Sequence, residues 1–279
     1  MFFSLLYLMS CGSTEESSAA IWQRMQLVGQ RSIVQLLRVD PLLMHDAWTD
    51  SMAEYSDENC PPMEEHNGMD LWRQSCTTED GNQFLGWSLN LRIDHIYEDG
   101  IDWDVQDWLS GQARIIAGDV ELSNYGDILH QDGAGPSGRR VLSGLVFGNF
   151  SWTDPTATNT WLSDDLSIEY EYRFAKESTG WSSTVDAWLS NFDDSIHGEA
   201  VIWDGIEFDQ AQCAREPIGG TLWLREGEGR WATVQFDDMC DGCGFVTTTG
   251  TPMCFDFTMW FDWSEYPWEE RPSIAVGGE

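Results

Sequence analysis

From residue 84 onward the chain alternates between apolar and polar side chains, and a period of two confines it to half-buried β-strands. Leu85, Trp87, Leu89, Leu91, Ile93 and Tyr97 interleave with Gly86, Ser88, Asn90, Arg92 and Asp94, which sends the two sets to opposite faces of a strand. The pattern returns at 166–174 through Leu166, Ile168, Tyr170, Tyr172 and Phe174, and at 254–261 through Phe255, Phe257, Met259 and Phe261. Further strands are predicted at 112–122, 141–152, 199–208, 221–225, 230–237 and 244–249, divided by turns rich in Gly and Asp. Strands of this kind predict a mainly β fold, an antiparallel β-sandwich or open barrel, with Trp87 and Trp231 among its core residues.

Ahead of the strands the period is helical. Ile21, Met25, Val28, Ile33 and Leu36 or Leu37 make one apolar stripe at the spacing of a helix face, weakened at Gly29 and stopped by Asp40-Pro41. A second helix is expected from Pro41 to about Tyr55, so the β domain carries a short helical N-terminal region. Residues 56–82 are polar and bracketed by Cys60 and Cys76. The expected organisation is therefore 21–82 helical and looped, then 83–279 as the antiparallel β domain. Val105-Gln106-Asp107-Trp108-Leu109-Ser110-Gly111 parallels Val185-Asp186-Ala187-Trp188-Leu189-Ser190-Asn191. Two duplicated halves or a common β composition would each account for that likeness.

Charge narrows the partners. The chain has 48 acidic against 14 basic side chains, a net charge of −34. Nucleic acid is excluded, because binding it requires a basic surface that displaces counterions. The 16 Trp and 13 Phe show that this is a folding chain and not a disordered acidic one.

The first ten residues, MFFSLLYLMS, are almost wholly apolar and run directly into Cys11. A run so short cannot span roughly 30 Å of hydrocarbon, which takes about 20 helical residues, but it suits the apolar part of a signal sequence. Leu8-Met9-Ser10-Cys11 resembles the lipobox of bacterial lipoproteins. The resemblance implies residues 1–10 as a signal peptide cleaved after Ser10, lipid on the Cys11 thiol, and residues 11–20 as a polar tether. It implies a membrane partner through that lipid and an extracytoplasmic place on the cell envelope. No Lys or Arg precedes the apolar run, a departure from the usual signal pattern.

The other six cysteines agree with an oxidising compartment. Cys60 is expected to pair with Cys76, and Cys213, Cys240, Cys243 and Cys254 among themselves in an order the sequence leaves open. The C-x-x-C of Cys240 and Cys243 encloses Asp241-Gly242, a turn pair, which favours structural disulfides over a zinc or redox site. No cofactor is expected, apart from calcium at Asp99, Asp102 and Asp104, a carboxylate cluster beside Gly100 that lacks the EF-hand pattern. Trp260, Trp263 and Trp268 form a dense aromatic patch able to stack on a ligand.

No G-x-S-x-G elbow, H-E-x-x-H helix or phosphate loop occurs, so no catalytic residue is selected. The expected function is a membrane-anchored structural or interaction protein with a protein or glycan partner. The alternatives are a carbohydrate- or peptide-binding module and a secreted hydrolase. A sheet face bearing several exposed Trp would favour the binding module.

Overall fold

The computed structural model describes residues 18–38, 41–66, 68–135, 139–153, 161–177, 180–190, 200–214, 216–227 and 229–258. Two helices come first, α1 (Ser18–Arg38) and α2 (Pro41–Tyr55). Three short strands follow, β1 (Glu64–His66), β2 (Met69–Trp72) and β3 (Cys76–Thr77). Then come the long ones: β4 (Gln83–Glu98), β5 (Ile101–Ala117), β6 (Val120–Ala134), β7 (Arg140–Thr153), β8 (Trp161–Glu177), β9 (Gly180–Ser190) and β10 (Ala200–Asp209). The strands shorten again through β11 (Pro217–Arg225), β12 (Trp231–Phe236), β13 (Cys243–Val246) and β14 (Pro252–Cys254). All belong to one antiparallel sheet in which nearly every strand pairs with the next in sequence; β2 pairs with β4, and β3 is a stub beside β4. The fold is mainly β with a helical N-terminal region, as the two periodicities require.

Both helices pack on the same, inner face of the sheet. α1 lies on β10 and β11, and α2 on β5, β6 and β7. One core joins Met25, Val28 and Ile33 of α1 and Met44 and Trp48 of α2 to inner-face residues such as Leu109, Val146, Val201 and Leu224. Each such side chain contributes about 1.5–3 kcal/mol when fully buried. The helices and both halves of the sheet share this core, which makes the architecture sandwich-like although the strands are continuous.

Local chemistry seats the helices. Gly29 stands where α1 meets Phe255, since a Cβ there would lie 2.4 Å from that ring. Ser32 Oγ accepts the Trp203 indole N–H at 3.1 Å and donates to the Gly29 carbonyl at 2.7 Å. Glu226, buried, takes Arg24 of α1 at 3.3 Å and Arg230 at 2.8 Å. In the sheet, Gly111, Gly126 and Gly148 stand opposite one another on β5, β6 and β7. A Cβ on Gly126 would come within 2.0 Å of the Phe147 carbonyl, so this row brings the backbones close.

Several boundaries differ from expectation. The strand expected at 112–122 straddles the turn at Gly118 and Asp119 that joins β5 to β6. The repeated segments, expected between strands, lie within β5 and, as far as Ser190, at the end of β9. The last strand ends at Cys254, short of the expected 261 among the described residues. On β4 the faces are reversed: Phe84 and Ser88 are buried, whereas Trp87 is 39 % exposed. Trp231 likewise points outward at 49 % exposure. Alternation alone fixes two faces but not which of them meets the helices.

The disulfides are Cys60–Cys76, as expected, and Cys213–Cys240 and Cys243–Cys254. They stand at the two ends of the sheet. Cys76 opens β3, and Cys243 faces Cys254 across β13 and β14.

Candidate functional site

On the outer face the register lines up apolar side chains strand after strand. Across β2, β4, β5, β6 and β7 the row is Met69, Leu91, Trp108, Leu129 and Leu145. It passes through Glu169 on β8 to Trp188, Ile202 and Trp223 on β9, β10 and β11. At about 4.8 Å between strands, the belt is about 38 Å long. The adjoining row is polar: Gln106, Gln131, Ser143, Glu171 and Asp186. An extended apolar stripe, broken by a carboxylate on one strand and bordered on one side by a mostly polar row, is the kind of exposed patch that marks an interaction surface. Trp188 is 56 % exposed and Trp223 40 %, so both indoles present a free face.

Where the belt crosses β8 to β10 it borders a cleft of about 350 Å³. Glu169, Glu171, Asp186, Asp204 and Trp188 line it, and none of its described lining residues is basic. The register slips between Trp203 and Ile206, with Gly205 at a positive φ of 55°. At this slip the Gly205 N–H donates to Asp186 Oδ1 at 2.7 Å, and Arg173 lies 2.5 Å from Glu171 Oε1. Glu169 and Asp204 are both exposed at the cleft. Farther along the face the Arg225 guanidinium lies 6.0 Å over the Trp231 ring, the distance at which an indole attracts a cation. Trp188 offers the same aromatic surface with carboxylates for neighbours.

The inner face holds a second polar group beneath α2. Asp107 is buried there, with Arg92 Nη1 3.6 Å from Oδ1 and His130 Nδ1 3.6 Å from Oδ2. His45 of α2 donates through Nε2 to Asn90 Oδ1 at 2.7 Å and lies 3.8 Å from Asp46. Burial opposes charge on Asp107, but His130, His45 and Arg92 outweigh it and hold the carboxyl below its usual range. Burial likewise opposes charge on His45, yet Asp46, Asn90 and the field of Asp107 raise its titration above the ordinary value. The matching position of the repeated segment is Ala187, also buried, so a strand in this setting does not require a charge.

The residues singled out from sequence fall elsewhere. Asp99 lies in the β4–β5 turn at a φ of 51°, and Asp102 and Asp104 are exposed on β5. Among the described residues no group of three or more His, Cys, Asp or Glu is arranged to hold a metal ion. Cys60, Cys76, Cys213, Cys240, Cys243 and Cys254 are consumed in disulfides. Cys11 and the patch of Trp260, Trp263 and Trp268 lie outside the described residues. Sequence reasoning missed Trp188 and Trp223. One signal was available: Trp108 and Trp188 recur at the same place in the repeated segment, and both lie on the belt.

No described helix is long and apolar enough to cross a membrane. Compared with family models, curated proteins and solved structures, the chain gives no significant match to any of the three.

Proposed function

We propose that this protein is a lipid-tethered extracytoplasmic binding module that holds a basic, apolar-rich peptide segment along its outer sheet face. The observation that carries the reading is the belt running into an acidic cleft at Trp188. The belt supplies non-directional apolar contact. The cleft supplies the exposed carboxylates of Glu169 and Asp204 and the Trp188 indole for Lys or Arg side chains. An extended peptide advances about 3.3 Å per residue, so roughly a dozen residues match the belt. The net charge of −34 adds long-range attraction for a cationic partner. The lipobox-like Leu8-Met9-Ser10-Cys11 and the consumption of the other six cysteines in disulfides support the tether and an oxidising compartment. The hydrolase reading has less behind it, since Asp186 and Glu171 are already engaged as acceptors by Gly205 and Arg173.

Calorimetric titration with a short synthetic peptide alternating Lys and Leu tests this, with oligolysine and a neutral oligosaccharide as comparisons. The Lys–Leu peptide is expected to bind tightest, and a Trp188→Ser, Trp223→Ser double variant to weaken it at least about ten-fold. Oligolysine, which has no apolar side chains for the belt, is expected to bind more weakly and to lose less affinity in that variant, since only its contact with the Trp188 indole is removed. Equal binding of the Lys–Leu peptide by variant and wild type would sink the peptide reading, and preferential binding of the oligosaccharide would replace it with sugar stacking.

A further inference from the structure

A second cleft, of about 280 Å³, opens between α2 and the start of the sheet. It is independent of the outer belt. Trp48 and Met52 of α2, Met63 ahead of β1, Trp72 of β2, and Ser88 and Asn90 of β4 line it. Its sheet side is built from cross-strand pairs, Trp72 opposite Ser88 and Asp70 opposite Asn90. Trp72 is fixed by edge-on contacts with Trp48 at 6.3 Å and Phe84 at 5.2 Å. Neither the Trp72 indole N–H nor the Ser88 hydroxyl makes a hydrogen bond to any described residue, although the two residues are only 1 % and 5 % exposed. Two unpaired polar groups on facing residues are costly to bury, because each has given up water without gaining a partner. Polar groups left unsatisfied beside an apolar cleft are what a ligand's own polar atom would complete.

We infer that this cleft binds a small, neutral, mainly apolar molecule bearing one carbonyl-type acceptor, such as an aryl ketone, ester or amide. An indole N–H can only donate and a serine hydroxyl can donate, so the complementary ligand atom is an acceptor. The walls of Trp48, Met52 and Met63 suit an apolar body, and the thioethers adapt to its shape. Charge rules out an anion as the preferred ligand. The cleft's described lining contains Asp70 and no Arg or Lys. The volume corresponds to about nine waters, near the lower limit of ligand sites, which limits the occupant to one or two rings or a short chain.

Saturation-transfer NMR on the full chain, with acetophenone, ethylbenzene and benzoate as probes of similar size, separates the contributions. Acetophenone is expected to bind about five- to ten-fold more tightly than ethylbenzene, the worth of one hydrogen bond to a buried donor, and benzoate most weakly. Ser88→Ala is expected to narrow the acetophenone preference to about two-fold with ethylbenzene binding unchanged. Ala53→Phe, at an exposed position of α2 on the cleft's lining, is expected to abolish binding of both neutral probes. Equal affinity for acetophenone and ethylbenzene, strongest binding by benzoate, or indifference to both substitutions overturns the inference. So does the absence of saturation transfer from any probe at millimolar concentration.

Discussion

Asp107 and His45 set opposite limits on the pH range in which α2 stays docked. The folded state holds the Asp107 carboxyl below its ordinary 3.8. Its stabilisation is therefore complete above that pH and is lost as pH falls through the depressed value. His45 is shifted the other way. With a folded value above 6.5, its contribution is complete below pH 6.5 and disappears as pH rises through that raised value. Thermal melts across pH are thus expected to show greatest stability between these limits, with a decline on the alkaline side. His45→Gln keeps an amide donor toward Asn90 but cannot titrate, so its alkaline decline is expected to flatten. A variant profile parallel to the wild type above pH 6.5 would remove His45 from this role. None of these contacts was legible in the sequence. Asp107 looks like any other acid in a chain with 48 of them, and its burial follows from a face assignment that only the helix position decides.

Among the elements, α1 carries an ion pair to a buried carboxylate. Glu226 is 1 % exposed and bridges Arg24 on the helix to Arg230 beside β12. Removing one member of a fully buried pair costs about 3–5 kcal/mol. Both guanidiniums here are about a third exposed, so solvent screening reduces the cost. Glu226→Gln is expected to lower the denaturant midpoint by an amount equivalent to about 1–3 kcal/mol at an unchanged slope; no shift would mean that the apolar stripe and the neutral hydrogen bonds of α1 suffice to hold it. That stripe was visible from Ile21 to Leu36, and both helices fall within a residue or two of their expected bounds. The strands were less legible. On β4 the odd-numbered apolar residues suggested a core face, yet they lie on the outer face, where Leu91 joins the belt, because Ser88 and Asn90 face α2 instead. Segment 101–111 concealed the first part of β5: Ile101, Trp103 and Val105 alternate with Asp102, Asp104 and Gln106, and the phase then breaks, with Asp107 in an apolar position and Trp108 in a polar one. The belt itself could not be seen at all. It exists only in the register of nine strands, each of which carries one position of the row.

At the scale of the molecule, the sheet is long in the middle and short at its ends, and the disulfides stand at those ends. Cys60–Cys76 closes a separation of 16 residues, and Cys213–Cys240 and Cys243–Cys254 close 27 and 11. Loops of this size are worth about 2–4 kcal/mol each in the unfolded chain. Melting with and without a thiol reductant is expected to show a large fall in midpoint. Hydrogen exchange under reduction is expected to rise first at β1 to β3 and at β13 to β14, leaving β5 to β7 protected. Uniform exchange along the sheet would show instead that the ends and the middle unfold as one unit.

Pairing almost wholly between consecutive strands also shapes how the chain is made. Whether it leaves a ribosome or is threaded through a membrane pore, each new strand finds its partner already waiting, so most of the sheet can be laid down in the order of synthesis. The first helix is the exception. Its carboxylate anchor lies 202 residues downstream of Arg24, and its supporting strands, β10 and β11, are among the late arrivals. For most of the time the chain takes to emerge, the apolar stripe of α1 remains uncovered. This early helix is therefore among the last elements to find its place, and the one most in need of protection until then.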